Sequence, residues 1–503
     1  MSNRFQESDI YGCLGHSRGR WRYVLSEPKK ENEPQKVSRR SYLQTTGGVI
    51  AGLVIGGALG YLAKPAGTVT TVTATETAME TVTVTGSAPP VTTTAAAQAG
   101  AIDYWCISGP QYDLAVHASK GFMSANPNVT VTVDQSSETE FTTGLNTRYS
   151  SAPPPDMGFF YAGPTYVPGL ADAGLLMELD GVYTKYGWDK ALSPGYKDYA
   201  YKGHLYVITH DYVGYPYIYY NPKIFQQLGL TAPPAKLDDL YSIVDKVKSS
   251  GYLGISWGLA TAPPWAANQF TFAVSNLLTG EEFSDFSNNY GLGLTTSSFA
   301  GRKVKFNDPS MVKAWQLMGD WGKRLYVDGF TGAGDSDAIS LFAQGKAAMY
   351  QTGSWGPALL DPVVKDFDYD MFNIPTDFGT NPGHIGSVAN CLAISAKTHS
   401  PDVCTGFADF MLSEGEQAWM SSVAGGFPSR MGIPTSEITN PKMGKGYQLF
   451  GSFTPSLVFG VSLSPKIVSE LVATLQSVLN QSTAPKDAAD HMEDYSVKAS
   501  GSS

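Results

Sequence analysis

The chain has 503 residues, 42% of them hydrophobic and only 16% charged, with a formal net charge of −10, a length that suits two or three ordinary domains or one large two-lobed body. The charge is uneven: residues 1–64 carry 10 Lys+Arg against 5 Asp+Glu, which leaves 25 against 40 for the rest. A body that acidic has no basic stripe to neutralise phosphates, which excludes a nucleic-acid partner.

In chain order, the first element is Ser38-Arg39-Arg40-Ser41-Tyr42-Leu43, followed by an uncharged, Gly-rich run of 19 residues from Thr45 to Ala63. Paired arginines before an aromatic, a leucine and such a run resemble a twin-arginine export signal. The run is just long enough to cross a bilayer as a helix, and the basic residues before it belong on the cytoplasmic side. Tyr61 and Pro65 spoil a cleavage pattern, and there is no Leu-x-Gly-Cys box. The segment is therefore expected to remain as a transmembrane anchor over 45–63, with 1–44 as a cytoplasmic segment. Residues 67–100 contain 12 Thr and no aromatic, Leu or Ile. Such a tract buries too little apolar area to offset the entropy of ordering it, so 64–100 reads as an extended stalk outside the cell.

From Ala101 the pattern alternates strand and helix. Residues 129–133 and Met157–Tyr161 read as strands. Asn221-Pro222, then Ile224, Phe225 and Leu228 before Gly229, spell a short capped helix. Residues 237–248 carry apolar side chains at 237, 240, 243, 244 and 247, a helical spacing closed by Gly251. Met349-Tyr350, residues 389–395 and a helix near 408–412 continue the alternation, which predicts α/β with open, largely parallel sheets. Of the four cysteines, Cys13 falls in the cytoplasmic segment. Cys391 with Cys404 is the pairing to expect if a disulfide forms; the alternative is that these two and Cys106 are buried free thiols. Asn128 and Asn480 each open an N-glycosylation sequon.

Several segments carry a family likeness in the right order. They include Asn126-Pro127-Asn128-Val129, Pro155-Asp156-Met157, the stretch from Ala173 to Asp180, Lys202-Gly203-His204-Leu205-Tyr206 and Tyr217-Ile218-Tyr219-Tyr220-Asn221. Phe342-Ala343-Gln344-Gly345-Lys346, Gly353-Ser354-Trp355, Gly386-Ser387 and Gly426-Phe427-Pro428-Ser429-Arg430 follow. Over about 400 residues the chain resembles the extracellular solute-binding proteins of ABC transporters, in the sugar-binding group that includes maltose-binding protein. The resemblance implies a two-lobed periplasmic-binding-protein-like (type II) fold with strands crossing between lobes. One lobe would take 101–213 and 384–448, the other 214–383 and 449–495. It also implies a sugar or oligosaccharide ligand in the cleft, and an ABC permease with its ATPase subunits as partners.

A sugar stacks its C–H faces on aromatic rings and needs convergent partners for its hydroxyls. Candidates of that chemistry on loops at strand ends are Trp105, Ser108 and Tyr112, then Asp156 and Tyr161 at the two ends of one strand. Tyr212 and Tyr215 lie at the crossover, and Trp265 follows Pro263-Pro264. By resemblance, Trp355 matches the glycine- or serine-flanked tryptophan that stacks on sugar, and Gly386 and Ser387 match a return crossover whose backbone meets ligand. Within this class a peptide or polyamine ligand is the alternative; a polyamine would require several carboxylates in the cleft.

The competing reading is a secreted hydrolase, because Gly254-Ile255-Ser256-Trp257-Gly258 satisfies G-x-S-x-G with Ser256 as nucleophile and His384 or His399 as base. The context argues against it, since Pro263-Pro264 follow where a helix is required. Asp335 or Asp337 reads as the cap of the helix through Leu341. No H-E-x-x-H, phosphate-binding loop or EF-hand spacing occurs, so no catalytic residue, metal or cofactor is expected.

Overall fold

The structure, a computed structural model, describes residues 99–163, 166–261, 263–291 and 299–501. The twin-arginine motif, the apolar run, Cys13 and the Thr-rich tract up to residue 98 lie outside the described residues. Among the described residues no helix is long and apolar enough to cross a membrane.

Runs rich in β-branched and aromatic residues form the strands. They are β1 (Gly100–Ile107), β2 (Val129–Ser136), β3 (Met157–Tyr161), β4 (Ile208–Tyr215), β5 (Tyr217–Tyr220) and β6 (Leu253–Ser256), then β7 (Ala347–Thr352), β8 (Asp370–Phe372), β9 (His384–Ile394), β10 (Phe427–Pro428) and β11 (Thr454–Leu457). They build two sheets, ordered β10-β4-β9-β3-β1-β2 with β11 also on β9, and β6-β7-β5-β8. Among the described residues the chain passes between the sheets at Pro216, between β4 and β5, and again between β8 and β9; after β11 it crosses once more, to helices that pack on the second sheet.

These crossings correct the expectation of largely parallel sheets. β1 runs parallel to β2 and β3, but β9 is antiparallel to both β3 and β4. In the second sheet only β6 and β7 are parallel, and β5 opposes both its neighbours. A parallel neighbour requires a return crossover on the same sheet. β4, β5 and β9 come from or lead to the other sheet instead, so they meet their neighbours in the opposite sense.

Three clusters of buried side chains hold the sheets. On the first sheet, Leu114 and Phe122 of the helix Pro110–Ala125, Phe141 of Glu138–Ser150 and Phe407 of Pro401–Met411 pack with Ile102, Tyr104 and Phe160. On the second, Leu240 and Val244 of Leu237–Ser249 join Phe270 of Trp265–Leu277, Trp315 and Trp321 of Pro309–Arg324 and Leu471 of Pro465–Leu479. Each such side chain contributes about 1.5–3 kcal/mol by leaving water. A smaller cluster lies on the other face of the second sheet around Tyr217, Tyr219 and Tyr350. Tyr447 and Phe450 of the helix Pro441–Gly451 pack against it, and the Tyr217 hydroxyl donates to the Gly446 carbonyl at 3.0 Å.

The local signals have their expected physical form. The Asn221 side chain accepts from the Lys223 and Ile224 amides to cap Pro222–Leu228, and Gly229 and Gly251 close their helices at positive φ. Cys106, Cys391 and Cys404 are all buried free thiols, the second of the two alternatives the sequence leaves open. Cys391 lies mid-strand against its neighbour's carbonyl at Ala389, whereas Cys404 faces the Thr398 hydroxyl from a helix. Burial pushes the Cys404 thiol up to about 12, so neither thiol is poised to react.

Candidate functional site

Strand alternation decides which residues can meet at the crossings. On β9, Gly386, Val388 and Asn390 share one face; on β4, Val213 and Tyr215 share the corresponding one. Those five residues floor a cavity of about 320 Å³. The first sheet's elements supply one wall through Ile107, Gln111, Glu138, Phe159, Tyr161 and Tyr166. The second sheet's elements supply the other through Thr261, Trp265, Asn268, Asp335 and Trp355, with Gly460 beside them.

Three aromatic rings form a corner of this cavity. The Trp265 and Trp355 centroids lie 5.4 Å apart, and Tyr215 stands 6.3 Å from Trp265 and 6.4 Å from Trp355. Trp355 follows β7 and is folded back over Gly353, where an added Cβ would stand 1.9 Å from its ring. Its backbone is pinned from both sides: the Ser354 amide donates to the Gly214 carbonyl, and the Ser354 hydroxyl to that of Gly425, both at 2.9 Å. Tyr215 is buried, and its hydroxyl accepts from Gln351 Nε2 at 2.8 Å. Gln351 also bonds Gln269 and Tyr326, so the ring is fixed by a polar network beneath it.

The cavity's charged groups are two carboxylates, Glu138 and Asp335, set among amides and hydroxyls that can both donate and accept. Glu138 opens its helix just after β2 and accepts from the Tyr161 hydroxyl at 2.9 Å; burial raises its carboxyl above the ordinary range, and that hydrogen bond partly offsets the effect. Asp335 accepts from the Tyr350 hydroxyl at 2.7 Å, and burial pushes its carboxyl up to about 6. Asp337, not Asp335, takes the capping role: its Oδ2 accepts from the Gly334 amide at 3.2 Å. Asn390 is oriented by the fully buried Asp211, to which its Nδ2 donates at 2.8 Å; His210 flanks Asp211 on the other oxygen.

Of the residues read from sequence, Trp355, Trp265, Tyr215, Tyr161 and Gly386 line this one cavity, and the others do not. Trp105 is buried beneath it, stacked on Phe141 at 4.4 Å, with its indole N–H donating to Ser136. Ser108 is exposed, and Tyr112 packs against the core of the first sheet. Asp156 sits at the opposite end of β3 from Tyr161, where it accepts from the Asp103 amide and the Thr398 hydroxyl. Tyr212 and Ser387 alternate onto the far face of β4 and β9. There they line a second opening of about 900 Å³ with Asp198, His384 and Ser456. That space is larger, and Tyr199, Phe283 and Phe450 also line it, but among the described residues these rings do not pack on one another as Tyr215, Trp265 and Trp355 do.

Ser256 is buried, its hydroxyl 2.9 Å from the Ala338 carbonyl and 3.2 Å from that of Met349. The sharp exposed turn that a nucleophile needs is absent at this position, and His384 is held by Asn381 and Ser456 instead. The hydrolase reading of Ser256 is thereby corrected. Sequence reasoning missed Glu138, Tyr166, Asn268 and Asn390. For Glu138 a signal existed: Ser137 and Glu140 form a capping box, which marks a helix start at the carboxyl end of β2, where α/β folds place ligands.

The family described as bacterial extracellular solute-binding protein matches residues 108–418. A multiple sugar-binding protein of Streptococcus mutans is 25% identical over 205 residues, covering 39% of this chain and 44% of that protein. The sn-glycerol-3-phosphate-binding periplasmic protein of Agrobacterium fabrum is 30% identical over 171 residues, covering 33% and 35%. The chain thus spans less than half the length of the curated relatives it matches. Among solved structures, a chitin oligosaccharide binding protein has a TM-score of 0.67 at 19% identity, covering 80% of this chain and 99% of that one. The maltose-bound MalE3 of T. maritima has a TM-score of 0.64 at 15% identity, covering 79% and 99%. These likenesses establish the two-lobed, mixed α/β periplasmic-binding-protein-like fold.

Proposed function

Because the chain belongs to the bacterial extracellular solute-binding proteins, we propose that it is the substrate-binding subunit of an ABC importer. It binds a sugar or oligosaccharide between its lobes and hands it to the permease without catalysis. The observation that carries this reading is the aromatic corner of Tyr215, Trp265 and Trp355 over a cavity formed by both lobes. Rings at that spacing offer flat apolar faces for the C–H side of a pyranose. A cavity of about 320 Å³ is at the small end of ligand sites, which favours a mono- or disaccharide or the terminal rings of a longer chain. The relatives named for multiple sugars, chitin oligosaccharide and maltose point the same way.

The lobes in this reading are 101–213 with 384–448, and 214–383 with 449–495. The three crossings between them act as a hinge, and the closed form is what the permease recognises. Trp355, Trp265, Tyr215, Tyr161 and Gly386 contact the ligand, with Glu138 and Asp335 accepting from its donors. The twin-arginine motif exports the folded chain, 45–63 anchors it, and 64–100 holds the body off the outer face of the membrane.

Thermal unfolding of the full chain against a panel of sugars, peptides and polyamines tests the reading. A ligand that binds only the folded state adds about 2.7 kcal/mol at a hundredfold excess over Kd. The expected result is a rise in Tm with one sugar class that disappears in Trp355→Ala. A rise with peptides alone would keep the fold and reject the sugar. A non-sugar amine is the second reading, favoured by the two carboxylates.

A further inference from the structure

The cavity is unbalanced in a way a neutral sugar does not require. Glu138 from one lobe and Asp335 from the other line it, and among the described residues that line it there is no Lys, Arg or His. Each carboxylate has a neutral tyrosine hydroxyl as its side-chain partner, Tyr161 for Glu138 and Tyr350 for Asp335. A third acceptor, Asn268 Oδ1, is buried with no hydrogen-bond partner. It sits against Gly460, where even a Cβ would approach it to 2.8 Å.

Desolvated carboxylates without a counter-charge are costly, and a buried acceptor without a donor adds to the cost. An occupant that brings positive charge and donors removes the penalty on the carboxylates. An ammonium group supplies three N–H donors and no acceptor, and it is attracted to the faces of Trp and Tyr, which here stand beside the carboxylates. A phosphate or carboxylate on the ligand would instead add negative charge where two such charges are already uncompensated.

We infer that the occupant carries a protonated amine, held between Glu138 and Asp335 with its ring on Trp265 and Trp355, and that anionic solutes are rejected. This rests on the proposed sugar reading and narrows it to an amino sugar. A linear polyamine presents the same ammonium chemistry, and the test separates the two.

Calorimetric titration of the full chain compares cellobiose with its diamino counterpart, in which an amine replaces the hydroxyl at C2 of each ring. Skeleton and size are matched, so the difference reports charge. The diamino sugar is expected to bind at least about tenfold tighter, with the ratio falling as salt rises. Glu138→Gln and Asp335→Asn, checked for folding by circular dichroism, each bring the ratio towards one. A wild-type ratio at or below one, or a ratio untouched in both folded variants, overturns the inference and leaves the sugar reading standing. Spermidine binding with neither disaccharide keeps the amine and rejects the sugar. Glycerol phosphate binding as tightly as the diamino sugar overturns the inference outright.

Discussion

Asp335 lies where two demands conflict, since the cavity benefits from its charge and the fold does not. Its neighbours Tyr350 and Tyr215 are buried tyrosines whose own ionisation is pushed far up, so both stay neutral, and Thr261 accepts from the Asp335 amide. A carboxyl raised from 3.8 to about 6 adds stability that is fully present below its unfolded value and is lost as pH rises through about 6. Asp335→Asn should therefore raise Tm relative to wild type at about pH 7.5 and have little effect at about pH 4. A gain of equal size at both pH values would assign the effect to packing instead of charge. The same residue shows how far a sequence reaches. Aspartates at 335 and 337 both suit a helix start, and only the fold reveals that Asp337 caps while Asp335 faces the cavity. Tyr212 and Tyr215, or Gly386 and Ser387, look equivalent in sequence, but the parity of a strand sends one of each pair to either face. Trp265 is legible from its place after Pro263-Pro264, whereas Trp355 is legible from family resemblance; both line the cavity.

Single elements were legible where local chemistry decides them. The helix Leu237–Ser249 buries the five apolar residues its spacing marks, and Asn221 caps as its type suggests. Strand direction was not legible, because it depends on partners far along the chain: β9 takes its sense from crossing between sheets, which no local pattern records. One contact between elements matters more than its exposure suggests. In the C-terminal helix Pro485–Ala499, Glu493 accepts from the Tyr290 hydroxyl at 2.9 Å and the Phe306 amide at 3.1 Å, and pairs with Arg302. Both charged side chains are nearly buried, at 10% and 9% exposure. Removing one partner strands the other, at a cost of about 3–5 kcal/mol. Glu493→Ala is expected to lower the urea midpoint accordingly; a loss below about 1 kcal/mol would mean that water replaces the carboxylate there.

At the scale of the whole molecule, the proposed export route makes a separate prediction. Arg39→Lys with Arg40→Lys keeps the charge but removes the arginine pair, and the double variant is expected to accumulate in the cytosol with its ligand affinity intact. Surface delivery at wild-type levels would reject the twin-arginine assignment. The two-lobed architecture was legible from ordered fragments, whereas the mixed sheets and the charge of the cavity were not.

The crossings between sheets also govern how the chain is made. The Tyr149 hydroxyl meets the Ala393 carbonyl from 244 residues away, and β3 has no partner on one side until β9 exists. The core of the second sheet in turn waits for Leu471 and Leu475 near the C-terminus. Contacts so distant in sequence form slowly, and a ribosome releases them only at the end of synthesis. The lobes are interleaved in time as well as in space: the first waits for β9 and β11, and the second for the helices that follow them. Whatever carries this chain across the membrane therefore receives it either unfinished throughout or whole.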